Sequence, residues 1–153
     1  VDAGEEIWGE LGLCNTEIIN GAGLNNTKIM LDKVSSKRLL FKTIPVKTSA
    51  RICTEWNHNG YNDWFLPSLN ELLGVKRELF LERNIGGFIE DNVYWSSSVD
   101  GLYAYNVKFN KAIKHSSMLN GTNILHERWD NDIYKYNRSF RDCIFNVRAI
   151  RAF

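Results

Sequence analysis

The stretch Asn59-Gly60-Tyr61-Asn62-Asp63-Trp64-Phe65-Leu66-Pro67-Ser68-Leu69-Asn70-Glu71-Leu72 divides the chain into two halves of different character. Its second part carries a capping box. Ser68 can accept from the backbone at the start of a helix, and Glu71, three residues on, can reach back to the cap. Leu69, Leu72, Lys76, Leu79 and Phe80 then recur at helical spacing, which predicts a helix from Leu69 to about Glu82, closed by Gly86-Gly87. Its first part overlaps Asn57 to Asn62, a run dense in turn formers that ends a shorter helix read over Thr48 to Trp56, where Ile52 and Trp56 share a face and Cys53 lies beside them. Residues 1–30 read as a short strand near Ile7-Trp8 followed by long loops, with Asn15, Asn25 and Asn26 suited to turns.

Downstream of Gly87 the period changes. Val93-Tyr94-Trp95-Ser96-Ser97 reads as a strand. Tyr103 to Phe109 alternates, putting Tyr105, Val107 and Phe109 on one face and Asn106 and Lys108 on the other. Asn146 to Phe153 forms a third stretch anchored by Val147, Ala149, Ile150 and Phe153. Two helices followed by several antiparallel strands make an α+β layout.

Composition bounds what such a domain does. A chain of 153 residues and 17.7 kDa fits one domain with its own core. Lys+Arg 19 against Asp+Glu 18 leaves a net charge of +1, and Lys37-Arg38, Arg138 and Arg141 form no stripe, so nucleic acid is not an expected partner. No apolar run approaches the ~20 residues of a membrane-spanning helix, and no signal peptide is visible at Val1 to Glu6. Cys14, Cys53 and Cys143 are odd in number and far apart; three reduced, buried thiols fit better than one disulfide plus a free cysteine. His58, His115 and His126 share no ligand spacing, and neither metal nor cofactor is expected.

Four stretches, taken in order, resemble one family. They are Asn59 to Ser68 with Glu71-Leu72, Tyr94-Trp95-Ser96-Ser97-Ser98, Tyr103-Ala104-Tyr105 with Phe109, and Asn146 to Phe153. Together they are similar to the Lcl C-terminal domain family, named for a bacterial collagen-like adhesin, over about Trp8 to Phe153. The resemblance implies a C-type-lectin-like fold of the formylglycine-generating-enzyme subtype: two helices packed on a twisted antiparallel sheet with long loops. It also implies a place on a cell or virion surface. Proteins of this type include the variable products of diversity-generating retroelements, in which a constant scaffold carries C-terminal positions that change at adenine-containing codons. The chain departs from the family between Lys111 and Tyr136, where an inserted loop at about 111–136 is expected within a single domain over 1–153.

Trp8, Trp56, Trp64, Phe65 and Trp95 read as scaffold, since large aromatics are buried on average. The later aromatics read differently. Eleven of the 19 follow residue 93, and Tyr103, Trp129, Tyr134, Tyr136, Phe140 and Phe145 sit among Asn, Asp, Lys and Arg, a mixture that suits recognition surfaces. Asp100, Leu102, Asn106, Lys108, Asn131, Arg138 and Asp142 complete the candidate ligand-binding set. Trp129-Asp130-Asn131-Asp132 is similar to the Trp-Asn-Asp element of calcium-dependent lectins, but the other half of such a site is missing. Asp63, Glu71, Arg148 and Arg151 either form ion pairs that pin the terminal strand to the helix or are ordinary surface charges.

The expectation is a non-enzymatic binding domain with no catalytic residues, displaying a surface between Ser98 and Asn146 to a protein or glycan ligand. Two alternatives remain: a structural or assembly module of a fibre or secreted adhesin, and a formylglycine-generating-type oxidase, which would need two cysteines close together.

Overall fold

The computed structural model describes residues 2–9, 14–36, 47–111, 115–119, 122–126 and 135–152. Strand β1 (Gly4–Ile7) opens the chain, followed by helices α1 (Gly23–Ser36), α2 (Ser49–Glu55) and α3 (Leu69–Val75). Helix α3 runs on as a π-helical segment, Lys76–Glu82, so the helical stretch read from the sequence has the expected length with a widened second half. Strands β2 (Val93–Asp100), β3 (Tyr103–Lys108), β6 (Asn137–Phe140) and β7 (Ile144–Val147) join β1 in one sheet ordered β1-β7-β2-β3-β6. The β2–β7 pair is parallel and the other pairs antiparallel, which makes the sheet mixed. Part of the expected insertion is a two-stranded hairpin of β4 (His115–Leu119) and β5 (Thr122–His126), with His115 opposite His126.

The fold class is α+β, with two differences from the expectation. The sheet is mixed rather than purely antiparallel, and three helices stand among the described residues, not two. The unexpected helix is α1, built where a long loop with Asn25 and Asn26 suited to turns is expected. Its residues are recruited by tertiary contacts. The Asn26 side chain is fully buried; it accepts from the Glu17 amide and donates to the Glu17 carbonyl and the Ser97 hydroxyl. Thr27 Oγ1 donates to Gly23 O within the helix and accepts from the Leu66 amide at 3.0 Å. A Cβ at Gly23 would lie 2.3 Å from Glu71 Oε2 and 2.8 Å from Leu66 O, so only glycine lets α1 approach the start of α3 this closely.

The capping box at α3 forms as read. Ser68 Oγ accepts from the Glu71 amide, and Glu71 Oε2 accepts from the Ser68 amide at 2.7 Å. Glu71 Oε1 also accepts from Gly21 N–H, tying the loop before α1 to the same cap.

Alternation along β2 and β3 sends side chains into two apolar clusters on opposite sides of the sheet. Trp95, Ala104 and Val147 pack with Trp8, Met30, Ala50, Cys53 and Leu66 under α1 and α2. Tyr94, Val107 and Phe109 pack with Leu69, Leu72 and Phe80 under α3 and its π-helical extension. Between Trp95 and Val99 the β2–β3 register shifts, and the bulge turns Ser96, Ser97 and Ser98 into the interior. All three hydroxyls are partnered: Ser96 donates to Tyr105 O, Ser97 accepts from Asn26, and Ser98 donates to Glu17 O and accepts from the Leu69 amide. These buried serines join the N-terminal loop, the capping-box turn and the sheet in one polar network, which stabilises only because each member is satisfied.

Candidate functional site

Beyond the cover of α3, the side of the sheet that carries Val107 and Phe109 continues as an exposed face. Tyr103 pairs across the strands with Phe140 and Tyr105 with Arg138, so these four side chains share one side. The Tyr103 and Phe140 rings lie 4.9 Å apart, and Tyr105 and Tyr136 meet edge-on at 5.3 Å. Asp100, opposite Tyr103 on β2, forms an ion pair with Arg138. Leu102 stands in the two-residue turn between β2 and β3, where Gly101 takes a positive φ of 58°. Leu102 is 57% exposed, Phe140 54%, Tyr136 48% and Tyr103 39%, an apolar patch that single surface residues do not make.

This face is stiffly mounted. Arg141, 1% exposed, donates to the Gly101 carbonyl and places its guanidinium 4.8 Å from the Trp8 ring, so the β2–β3 turn is clamped to the core. Burial lowers the Arg141 pKa against the opposing pull of Cys14. The Tyr105 phenol is raised by burial first, then by Asp100 and Tyr136, with Arg138 acting against them.

Seven of the residues singled out from the sequence are therefore brought to one place: Asp100, Leu102, Tyr103, Tyr136, Arg138 and Phe140, with Asp142 exposed in the turn that leaves β6. Others are not. Asn106 is 1% exposed and donates to Ser139 Oγ on the opposite side of the sheet; alternation assigned its side correctly, but α1 and α2 cover that side. Phe145 packs on Trp95 with ring centroids 4.5 Å apart and belongs to the first cluster. Lys108 is exposed but sits at the far end of β3, opposite Val93, paired with Asp91 at 2.9 Å. Trp129, Asn131 and Tyr134 lie outside the described residues, as does the calcium-site element.

A second concave feature was invisible to sequence reading. An open pocket of about 550 Å³ is lined by Trp56, His58, Tyr61, Trp64, Phe88 and Arg151 together with Arg148, Asn59, Gly86 and the aliphatic side chains of Val75, Leu79, Ala149 and Ile150. Trp56 and Trp64, read as scaffold, are only half-buried: one side packs on the first cluster and the other opens to the pocket. Their rings lie 5.6 Å apart, with His58 5.3 Å from Trp56. The lip is an Asn-Gly turn, Asn59 at φ 53° and Gly60 at φ 79°, closed by paired backbone bonds between His58 and Tyr61. Trp64 Nε1 donates to Tyr61 O at 2.9 Å and fixes the ring against that turn.

The four charges of uncertain role separate here. Arg151 pairs with Asp63 at 3.0 Å and stacks 3.6 Å over Tyr61. Arg148, 6% exposed, pairs with Asp2 at 2.6 Å, donates to Gly86 O at 2.8 Å and stacks 3.9 Å over Phe88. Glu71 serves the helix cap. Gly86 is required beneath this stack, since a Cβ there would meet the Phe88 ring at 2.5 Å.

All three cysteines are free; Cys53 is buried, whereas Cys14 and Cys143 are half-buried. Among the described residues no three His, Cys, Asp or Glu side chains gather where a metal could sit, and no helix is long and apolar enough to cross a membrane. Comparison with known proteins adds no relative: no family model, no curated protein and no solved structure matches this chain.

Proposed function

We propose that this chain is a non-enzymatic ligand-binding domain with a C-type-lectin-like scaffold, displaying its recognition surface on the β2–β3 turn and β6. One observation carries the reading. The Tyr103–Phe140 ring pair, with Leu102 beside it and the Asp100–Arg138 pair at its edge, leaves large apolar area in water on a rigid mount. Rings of this kind give contact area at low entropic cost, and the charged pair supplies direction. The ligand is a protein or glycan of a cell or virion surface, and the resemblance to the Lcl C-terminal domain family supports both the scaffold and that setting.

The experiment is to stain a glycan array and a panel of intact cells with labelled domain, beside the double variant Tyr103→Ala/Phe140→Ala. Loss of staining with an unchanged unfolding temperature supports the face as the binding surface. Retained staining, or a large drop in stability, removes it. Diversification of the C-terminal segment has its own test in the neighbouring DNA: a reverse transcriptase gene with a near-identical repeat differing at adenines.

A further inference from the structure

The Trp56–Trp64 pocket lies on elements that the β3–β6 face does not use. It is assembled from the turn at Asn59-Gly60, the π-helical segment, the Gly86–Phe88 loop and the last residues of the chain. Its volume of about 550 Å³ falls within the range of sites that enclose a small organic molecule, roughly 300–1,000 Å³. Three independent features define what fits. The walls are indole, phenol and phenyl rings with aliphatic side chains between them, so the enclosed part of a ligand must be apolar and ring-shaped. Charged lining side chains are arginines, Arg148 and Arg151, while their carboxylate partners Asp2 and Asp63 do not line the cavity. Each guanidinium is ion-paired with a carboxylate outside the lining and held flat against a ring, so a ligand's charged end meets an oriented arginine edge rather than a carboxylate, which favours an anion by the modest margin of a paired arginine. Finally, the hydrogen-bonding side chains of the lining, His58, Asn59, Tyr61 and the two arginines, share it with ring and aliphatic walls, which suits a ligand with one polar end better than a sugar with hydroxyls all round.

We propose that this pocket binds a small planar aromatic molecule bearing one carboxylate, its ring against the Trp56–Trp64 pair and Phe88 and its carboxylate at the Arg151 rim. The site is separate from the β3–β6 face and would stand if that face bound nothing.

The test uses 2-naphthoate as probe, read by calorimetry and by the indole N–H signals of the folded chain. Trp64 Nε1 lies at the pocket, whereas Trp8 Nε1 donates to Ser96 O and Trp95 Nε1 to Glu6 O inside the core, which makes the last two internal references. Naphthoate is expected to shift the Trp56 and Trp64 signals and leave those of Trp8 and Trp95 in place. Neutral 2-naphthamide should bind about ten-fold more weakly, the effect of losing one charge-assisted hydrogen bond. Arg151→Gln should erase that difference, Trp56→Leu should weaken both probes, and Tyr103→Ala/Phe140→Ala should change neither. The proposal is overturned by equal binding of the acid, the amide and 2-naphthylmethylammonium. It is equally overturned if methyl glucoside moves the two pocket indoles and naphthoate does not, or if millimolar naphthoate moves neither.

Discussion

The exposed face on β3 and β6 and the pocket beside Trp56 are both aromatic, yet they are built in opposite ways. On the face, rings meet because strand register puts Tyr103 opposite Phe140 and Tyr105 opposite Arg138; each side chain has a wet side and few duties. In the pocket, the 56–64 stretch carrying Trp56, Tyr61 and Trp64 meets Phe88 from a distant loop, and three of these rings also hold something: Trp64 bonds Tyr61 O, Tyr61 carries Arg151, and Phe88 carries Arg148. Surfaces made by register can change side chains without disturbing the backbone. A cavity made by convergence cannot, because its lining is also its framework.

The comparison can be broken outright at the network both regions rest on. Asn26→Ala removes the partner of the Glu17 amide and of the Ser97 hydroxyl and one of the two donors to the Glu17 carbonyl, which keeps Ser98, and is expected to cost about 3 kcal/mol, lowering the melting temperature by roughly 10 °C. Ligand binding at both regions should fall together with the fold, as followed by thermal denaturation. Next in size is Trp64→Ala, where a half-buried indole and its hydrogen bond are lost, at about 2 kcal/mol. Calorimetric scanning should show that loss while a ligand of the β3–β6 face still binds.

Alkaline pH sharpens the contrast more gently. Burial raises the Cys53 and Cys14 thiols from 9.0 and the Tyr94 and Tyr105 phenols from 10.0. A folded state that keeps protons the unfolded chain releases loses stability as pH rises, by up to about 1.4 kcal/mol per pH unit for each such group. Stability should therefore be level below pH 9, fall first through Cys14 and through Cys53 on the helix leading to the pocket, and fall more steeply above pH 10 as the tyrosines join. Urea unfolding at stepped pH measures this, and Cys53→Ala should shrink the first portion, leaving the part that Cys14 contributes.

The smallest effect belongs to the face. Tyr103→Ala with Phe140→Ala should cost no more than about 1 kcal/mol, the scale of one cross-strand ring pair, and Arg138→Ala less still, since both members of its ion pair are exposed. A drop of 3 kcal/mol for either in urea titration would mean the face is framework too.

What could be read in the sequence follows the same division. The capping box of Ser68 and Glu71 and the alternation of β3 were legible because they depend on residues a few positions apart. Helix α1 was not. Gly23, Asn25 and Asn26 have turn-forming preferences, and the contacts that override them come from Glu17, Leu66, Glu71 and Ser97. Asn106 illustrates a subtler limit: a period of two assigns sides but does not say which side is wet, and here both are covered along most of the sheet. Phe145 was grouped with the recognition aromatics by its polar neighbours, whereas Trp95 decided its place. The pocket needs four segments at once, so no local window contains it.

The buried serine tract of β2 also sets a clock. Its neighbourhood is tied by hydrogen bonds from Trp8 to Ser96, from Trp95 to Glu6, from Ser98 to Glu17 and from Val99 to Thr16, which close loops of 88, 89, 81 and 83 residues. During synthesis these four ties cannot all close until residue 99 has left the ribosome, although Thr27 and Gly21 can already meet Leu66 and Glu71, and in refolding such long closures come late. Pulse-labelled hydrogen exchange should find the Val99 amide among the last to gain protection, well after the local turn at Ser68.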